Sequence, residues 1–303
     1  MRLAEMVADG VQAIRRHARL LLVLFLVELA ASLIFAAGVA AALVLRFGSR
    51  PLFARGVAGD DAALASAILS SGGAFSALGA VGLAWLLGYA ILSLYLGAGL
   101  LGAFAGDRFA DAAGERFGVF LRLWLWSLLP WGVGLGVCAF GFAALAPDLE
   151  DFLTPGLTVG RPLLALLPGL FVLAVVSCAV DYARARLTLR GGSALRALGS
   201  GLARALTRPT ALLHFLLYSF FWLAVSAAYL AGTVGVTFAG LGGAVALFAL
   251  RQLVAALRFA ARAAASAGQL RALEVEVLEV GQVVEGAETG GDVAGTEAAQ
   301  PVE

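Results

Sequence analysis

The segment from Asp181 to Trp222 sets six arginines between two apolar runs, and no other feature restricts the fold as tightly. Arg184, Arg186, Arg190, Arg196, Arg204 and Arg208 all lie in its first 28 residues. The runs on either side are long enough to cross a bilayer as helix, for which about 20 apolar residues suffice. An arginine-rich connection between two such spans fixes which side of the membrane it faces. Composition agrees. The chain is 61% hydrophobic and 14% charged, with a mean hydropathy of +0.95, whereas soluble domains carry roughly a quarter charged residues.

Counting outward from this segment predicts an all-α integral membrane protein with about six transmembrane helices. The expected spans are 20–45, 75–104, 119–145, 163–180, 211–231 and 236–257. Residues 2–19 read as an amphipathic helix. Leu3, Met6, Val7, Gly10 and Ile14 share one face, and Glu5, Asp9, Gln12, Arg16 and Arg19 the other. Such a helix is expected in the interface, its arginines toward lipid phosphates. Its length, and that of the apolar run after it, exceed those of a signal peptide, so the first span is expected to stay uncleaved. A second interfacial amphipathic helix is expected from Ala194 to Thr207 inside a 182–208 loop. It follows the Gly191–Gly192 break, with Ser193 as N-cap, and Pro209 ends it. Leu195, Leu198, Leu202 and Leu206 line one side.

Small residues recur at helical spacing, at Ala98/Gly102/Gly106, Gly132/Gly136 and Gly235/Ala239/Gly243, where helix backbones are expected to approach. Pro130 should kink the third span and free the Trp126 carbonyl. From Glu274 onward the chain carries eight acids, no basic residue and no aromatic. This is the composition of disorder. Residues 1–271 therefore read as the helical transmembrane domain and 272–303 as an acidic, disordered cytoplasmic tail. Its LEVEVLEVGQVVE stretch is expected to order only against a partner.

Arginines cluster in the N-terminal segment, in 182–208 and after the last span, whereas 146–162 has only Arg161. The positive-inside rule then puts both termini in the cytoplasm, although 46–74, with three arginines, runs against it. All 21 basic residues are arginine, and lysine and asparagine are absent. Missing AT-rich codons point to a GC-rich bacterial genome and hence to a bacterial cytoplasmic (inner) membrane. The segments GVQAIRRHARLLLVLF, GERFGVFLRLWLW and SGLARALTRPTALLHF precede the odd-numbered spans. They fit three helical hairpins about as well as chance similarity.

A charged side chain within a span costs roughly 2.5–3.5 kcal/mol on insertion scales, so such groups tend to be paired or functional. Glu28, Arg122, Asp181, His214 and Arg251 form the candidate intramembrane polar cluster, all in the cytoplasmic half. Helical rise puts Glu28 ~12 Å and Arg251 about 9 Å into their spans, so the two can pair. Two readings stay open: a polar cavity for a small anion or headgroup, or one structural ion pair with snorkelling arginines. Without lysine, P-loop and Schiff-base chemistry are excluded. Cys138 and Cys178 lack metal or redox spacing and read as packing residues. His214 has no second ligand for a metal, and no serine sits in a nucleophile elbow. No catalytic residue, cofactor or metal is expected, and no nucleic-acid partner.

The segment AVVSCAVDYARARLTLRGGSALRALGSGLARALTRP, with the span after it, resembles the membrane domain attached to some glycerophosphodiester phosphodiesterases and uncharacterised six-span bacterial relatives. The likeness covers about 170–225 and implies a helical membrane domain without the soluble catalytic barrel. The expected function is a non-enzymatic membrane component that organises or assists lipids or a protein partner. Its expected partners are the bilayer, anionic lipid headgroups and a protein held by the C-terminal tail. The alternative is a transporter or channel subunit using the polar cluster. If that cluster binds substrate, Glu28→Gln abolishes transport while folded yield stays intact. Loss of folded protein, read by size-exclusion chromatography, identifies a structural pair.

Overall fold

The computed structural model describes residues 2–47, 74–145, 155–233 and 240–291. These residues form eight helices: α1 (Leu3–Arg16), α2 (Ala18–Phe47), α3 (Ala74–Phe104), α4 (Phe109–Leu145), α5 (Pro155–Arg190), α6 (Ala194–Thr207), α7 (Pro209–Thr233) and α8 (Gly240–Gly291). Five carry stretches long and apolar enough to cross a membrane: Ala18–Ala41, Gly82–Phe104, Phe109–Ala143, Leu166–Arg190 and Pro209–Thr233. The protein is thus a helical, multi-pass membrane protein. The expected sixth span, 236–257, begins in residues outside the described ones, and its described part falls in α8, from Gly240. Most of the 46–74 segment and the Gly235/Ala239 positions also lie outside the described residues.

The chain divides into two compact units, His17–Gly97 and Met1–Arg16 with Ala98–Glu303. In the first, the Phe35 ring of α2 stacks on Trp85 of α3 with centroids 4.6 Å apart, and Trp85 leans on Tyr89 at 5.3 Å. Ile34 is 75% exposed and Leu45 88%. Uncovered apolar side chains in such number are the mark of a surface solvated by lipid.

In the second unit α4 and α5 form an antiparallel hairpin. Gly134 abuts Leu173 and Val172, and Gly169 abuts Cys138. The expected Gly132/Gly136 row is not the contact with α5, since a side chain at either would meet nothing within 4 Å among the described residues. Gly134 lies about 200° around the helix from Gly132, so the packing face is the opposite one. Pro130 sits inside α4, which continues to Leu145.

Helices α1 and α8 also approach backbone to backbone. Gly10 lies on the Ala264 backbone and Gly268 on the Met6 backbone. The paired numbers run in opposite directions, so the helices are antiparallel. Ala261, Ala264, Ala265, Gly268 and Ala272 give α8 a nearly smooth buried strip. The Met6/Gly10 face of α1, expected against lipid, is thus buried on protein. Helix α6 repeats the device. Its buried face is Ala194, Ala197, Gly201 and Ala205, and Gly201 meets the Ala179 carbonyl of α5. Met6, Cys178, Ala179, Tyr182, Ala205, Ala211 and Ala272 belong to one core where α1, α5, α6, α7 and α8 converge.

Two expectations are corrected here. The 182–208 segment is not a loop, because α5 runs unbroken to Arg190 and carries three of the six arginines. The break is confined to residues 191–193, where Gly191 and Gly192 have φ angles of 62° and 101°, ones side chains resist. The 272–303 segment is also not uniformly disordered, since α8 continues as helix to Gly291. Burial of Ala272 and pairing of Glu276 with Arg204 supply the contacts that composition alone does not reveal. The close packing is testable. Gly268→Leu is expected to destabilise the detergent-solubilised protein by about 1–3 kcal/mol, the usual cost of overpacking. Gly132→Leu should leave thermal stability unchanged.

Candidate functional site

The last turns of α5 build one wall of the site. Tyr182, Arg186 and Arg190 are four residues apart and so share a face. Tyr182 is 2% exposed and belongs to the core. Gly201 lets α6 settle against α5, which brings the Arg204 guanidinium over the Tyr182 ring, 4.9 Å from its centroid. Helix α8 supplies the third wall, where Glu276 pairs with Arg204 and stands 4.0 Å from Arg208.

These walls enclose a cavity of about 390 Å³, lined by Arg186, Arg190, Arg204, Arg208 and Glu276 among others. Ligand pockets begin at roughly 300 Å³. A smaller cavity of about 110 Å³ shares Tyr182, Arg204, Arg208 and Glu276 with the larger one. Four guanidinium groups face one carboxylate. Arg186 and Arg190 have no hydrogen bond or ion pair among the described residues. The Nε of Arg204 is buried without a hydrogen-bond partner. Guanidinium groups present paired donors whose spacing matches carboxylate and phosphate oxygens. The arrangement can therefore hold an anion with several oxygens. Beyond the cavity, Arg271 donates to Glu274 at 2.5 Å, and this bond with its charge raises the Arg271 pKa above the ordinary arginine value.

The polar positions singled out from the sequence are distributed differently. Glu28 lies in the His17–Gly97 unit, whereas Arg122, Asp181, His214 and Arg251 lie in the other. No hydrogen bond or ion pair joins those four to one another among the described residues. Asp181 is 3.6 Å from Arg184, one turn along α5. Arg122 and Arg251 are exposed. His214 is fully buried, edge-on to Tyr218 at 5.1 Å, and its Nε2 lies beside Gly268 of α8. Neither imidazole nitrogen, nor the Tyr218 hydroxyl, has a hydrogen-bond partner within the described residues. Farther along the same pair of helices, Arg258 covers the Trp222 ring at 4.5 Å. Cys178 is buried with its Sγ 3.6 Å from the Ala211 carbonyl, and Cys138 is half-buried against Leu166. Among the described residues no group of His, Cys, Asp or Glu is placed to hold a metal ion.

Sequence reasoning missed Glu276 as a site residue because it lies in the acidic tail. A signal was present, since Leu273, Glu276 and Val277 keep the helical spacing of the preceding Ala-rich strip. Comparison with protein-family models, curated proteins and solved structures found no match.

Arg204 touches both Tyr182 and Glu276, so its loss should free the end of α8. Arg204→Ala is expected to speed proteolysis after Ala272 at least several-fold. Arg190→Ala, at an exposed helix end, should not change it. Limited proteolysis in detergent reads both.

Proposed function

We propose that the protein is a non-enzymatic, multi-pass component of a bacterial cytoplasmic membrane that organises anionic lipids at its cytoplasmic face. The observation that carries this reading is the cavity of about 390 Å³ with its four arginines. Its position supports the reading further. Arg190 ends the Leu166–Arg190 span, and Arg208 immediately precedes the Pro209–Thr233 span. With both spans across a bilayer, the guanidinium groups stand at headgroup depth, where each nearby arginine attracts anionic lipid by about 1 kcal/mol.

The exposed Leu195, Leu202 and Leu206 of α6 make it an amphipathic helix resting in the same interface. In this reading the first part of α8 is the sixth crossing. Its later part packs against α1, which accords with both termini lying on one side, and the arginine distribution assigns that side to the cytoplasm. The resemblance of 170–225 to the membrane domain attached to glycerophosphodiester phosphodiesterases points the same way, toward a membrane domain working beside lipid. The transporter alternative has less behind it, because Arg122, Asp181, His214 and Arg251 are not joined to one another by a hydrogen bond or ion pair among the described residues.

The test is mass spectrometry of lipids retained by the protein purified from native membranes in mild detergent. Anionic phospholipid should be enriched over zwitterionic lipid, and the combined Arg186→Gln and Arg190→Gln variant should lose that enrichment while remaining monodisperse. A stoichiometric protein partner with no anionic enrichment would replace this reading with an assembly role.

A further inference from the structure

The cavity between α5, α6 and α8 is already occupied on one side. Glu276 meets Arg204 with one carboxylate oxygen and approaches Arg208 with the other. The first contact reaches α6 and the second Arg208, the residue that caps it. Arg186 and Arg190 on the facing wall have no acid partner among the described residues. A carboxylate has two oxygens and satisfies one wall, whereas a phosphate group has oxygens enough for both.

The remaining polar side chains direct recognition to the guanidinium groups. Ser200 donates its hydroxyl proton to the Ala197 carbonyl at 2.8 Å, and Thr207 donates to Ala203 at 2.8 Å. The Arg204 Nε–H, in contrast, is buried and uncommitted. Its guanidinium is held in place by the Tyr182 ring beneath it. The site therefore has uncommitted guanidinium groups at Arg186 and Arg190 and an excess of three positive charges along its walls.

We infer that this cavity is a phosphate-binding site and that the Glu276 carboxylate is the resident counter-ion which an entering phosphate group displaces from Arg204. The inference rests on the lipid reading only for the source of the phosphate. The chemistry is shared by a phospholipid headgroup and a soluble phosphate. Displacement releases α8 from α6 at Glu276, so occupancy of the cavity is coupled to the attachment of the C-terminal part of α8.

The experiment uses the full chain in phosphatidylcholine nanodiscs at constant ionic strength, with inorganic phosphate as the probe and calorimetry as the readout. A parallel set of discs contains phosphatidylglycerol. Phosphate is expected to bind. Glu276→Gln removes the competing charge and should tighten binding roughly threefold to fivefold, the scale of a partly exposed ion pair. The combined Arg186→Gln and Arg190→Gln variant should weaken it by at least about tenfold. If that variant loses folded yield, Arg190→Gln alone, at an exposed helix end, takes its place. Phosphate should also speed proteolysis after Ala272 in the wild-type protein.

Phosphate binding without preference for phosphatidylglycerol keeps the site and removes the lipid reading. Lipid retention that needs the arginines, with Glu276→Gln leaving affinity unchanged or weaker, keeps the lipid reading and overturns the displacement. Binding of neither phosphate nor phosphatidylglycerol overturns both.

Discussion

Backbone-to-backbone contact at small residues is the constraint on which the larger unit depends. In lipid, apolar side chains gain little by leaving their solvent, so helices associate through close packing and polar contacts. Gly10 on Ala264, Gly268 on Met6 and Gly201 on Ala179 are three such contacts. Each brings two helices closer than any side chain permits. The site is a by-product of this geometry. If α6 stood away from α5 by the width of a methyl group, Arg204 would not lie over Tyr182. If α8 did not lie on α1, Glu276 would have no fixed position beside α6.

The helical, multi-pass class was legible because apolar length is a strong and local signal. The five candidate spans all overlap runs that hydropathy marks. Their ends were less legible. Helix α5 passes through Tyr182, Arg184 and Arg186 without pause, since arginine is a good helix former and its long side chain carries the charge away from the helix. Only Gly191 and Gly192, with backbone angles that glycine alone tolerates easily, end it. The reading of Gly132 and Gly136 as a packing face failed for a different reason. Spacing identifies a smooth stripe on a helix, but it does not say whether a neighbour is present, and Gly134 on another face has one.

The site itself was only half visible. Its arginines stood out in the sequence, but as a charged loop marking orientation. Folding turns them into a cavity because three of the four lie on helix faces that converge on Tyr182 and Glu276. Composition hid the acid. An acidic, aromatic-free tail looks unable to bury enough to order itself, and its first turns order by using the core that the rest of the chain has assembled. Charged residues inside the spans were easier to notice, but Arg122, Asp181, His214 and Arg251 do not join one another among the described residues. Asp181 is served by Arg184 on its own helix, and His214 is enclosed beside Tyr218 and Gly268.

The antiparallel fit of α1 on α8 also sets an order of events during synthesis. Gly10 emerges from the ribosome well before its partner Ala264, about 250 residues farther along the chain. At about 5–20 residues per second, the first helix waits roughly ten to fifty seconds for the surface it will cover. Until then Met6 has only the earlier part of its core, Cys178, Tyr182, Ala205 and Ala211, to pack against. Closure of this clasp is therefore a late step of assembly, and the arginine cavity, whose Glu276 lies beyond the clasp, is completed later still.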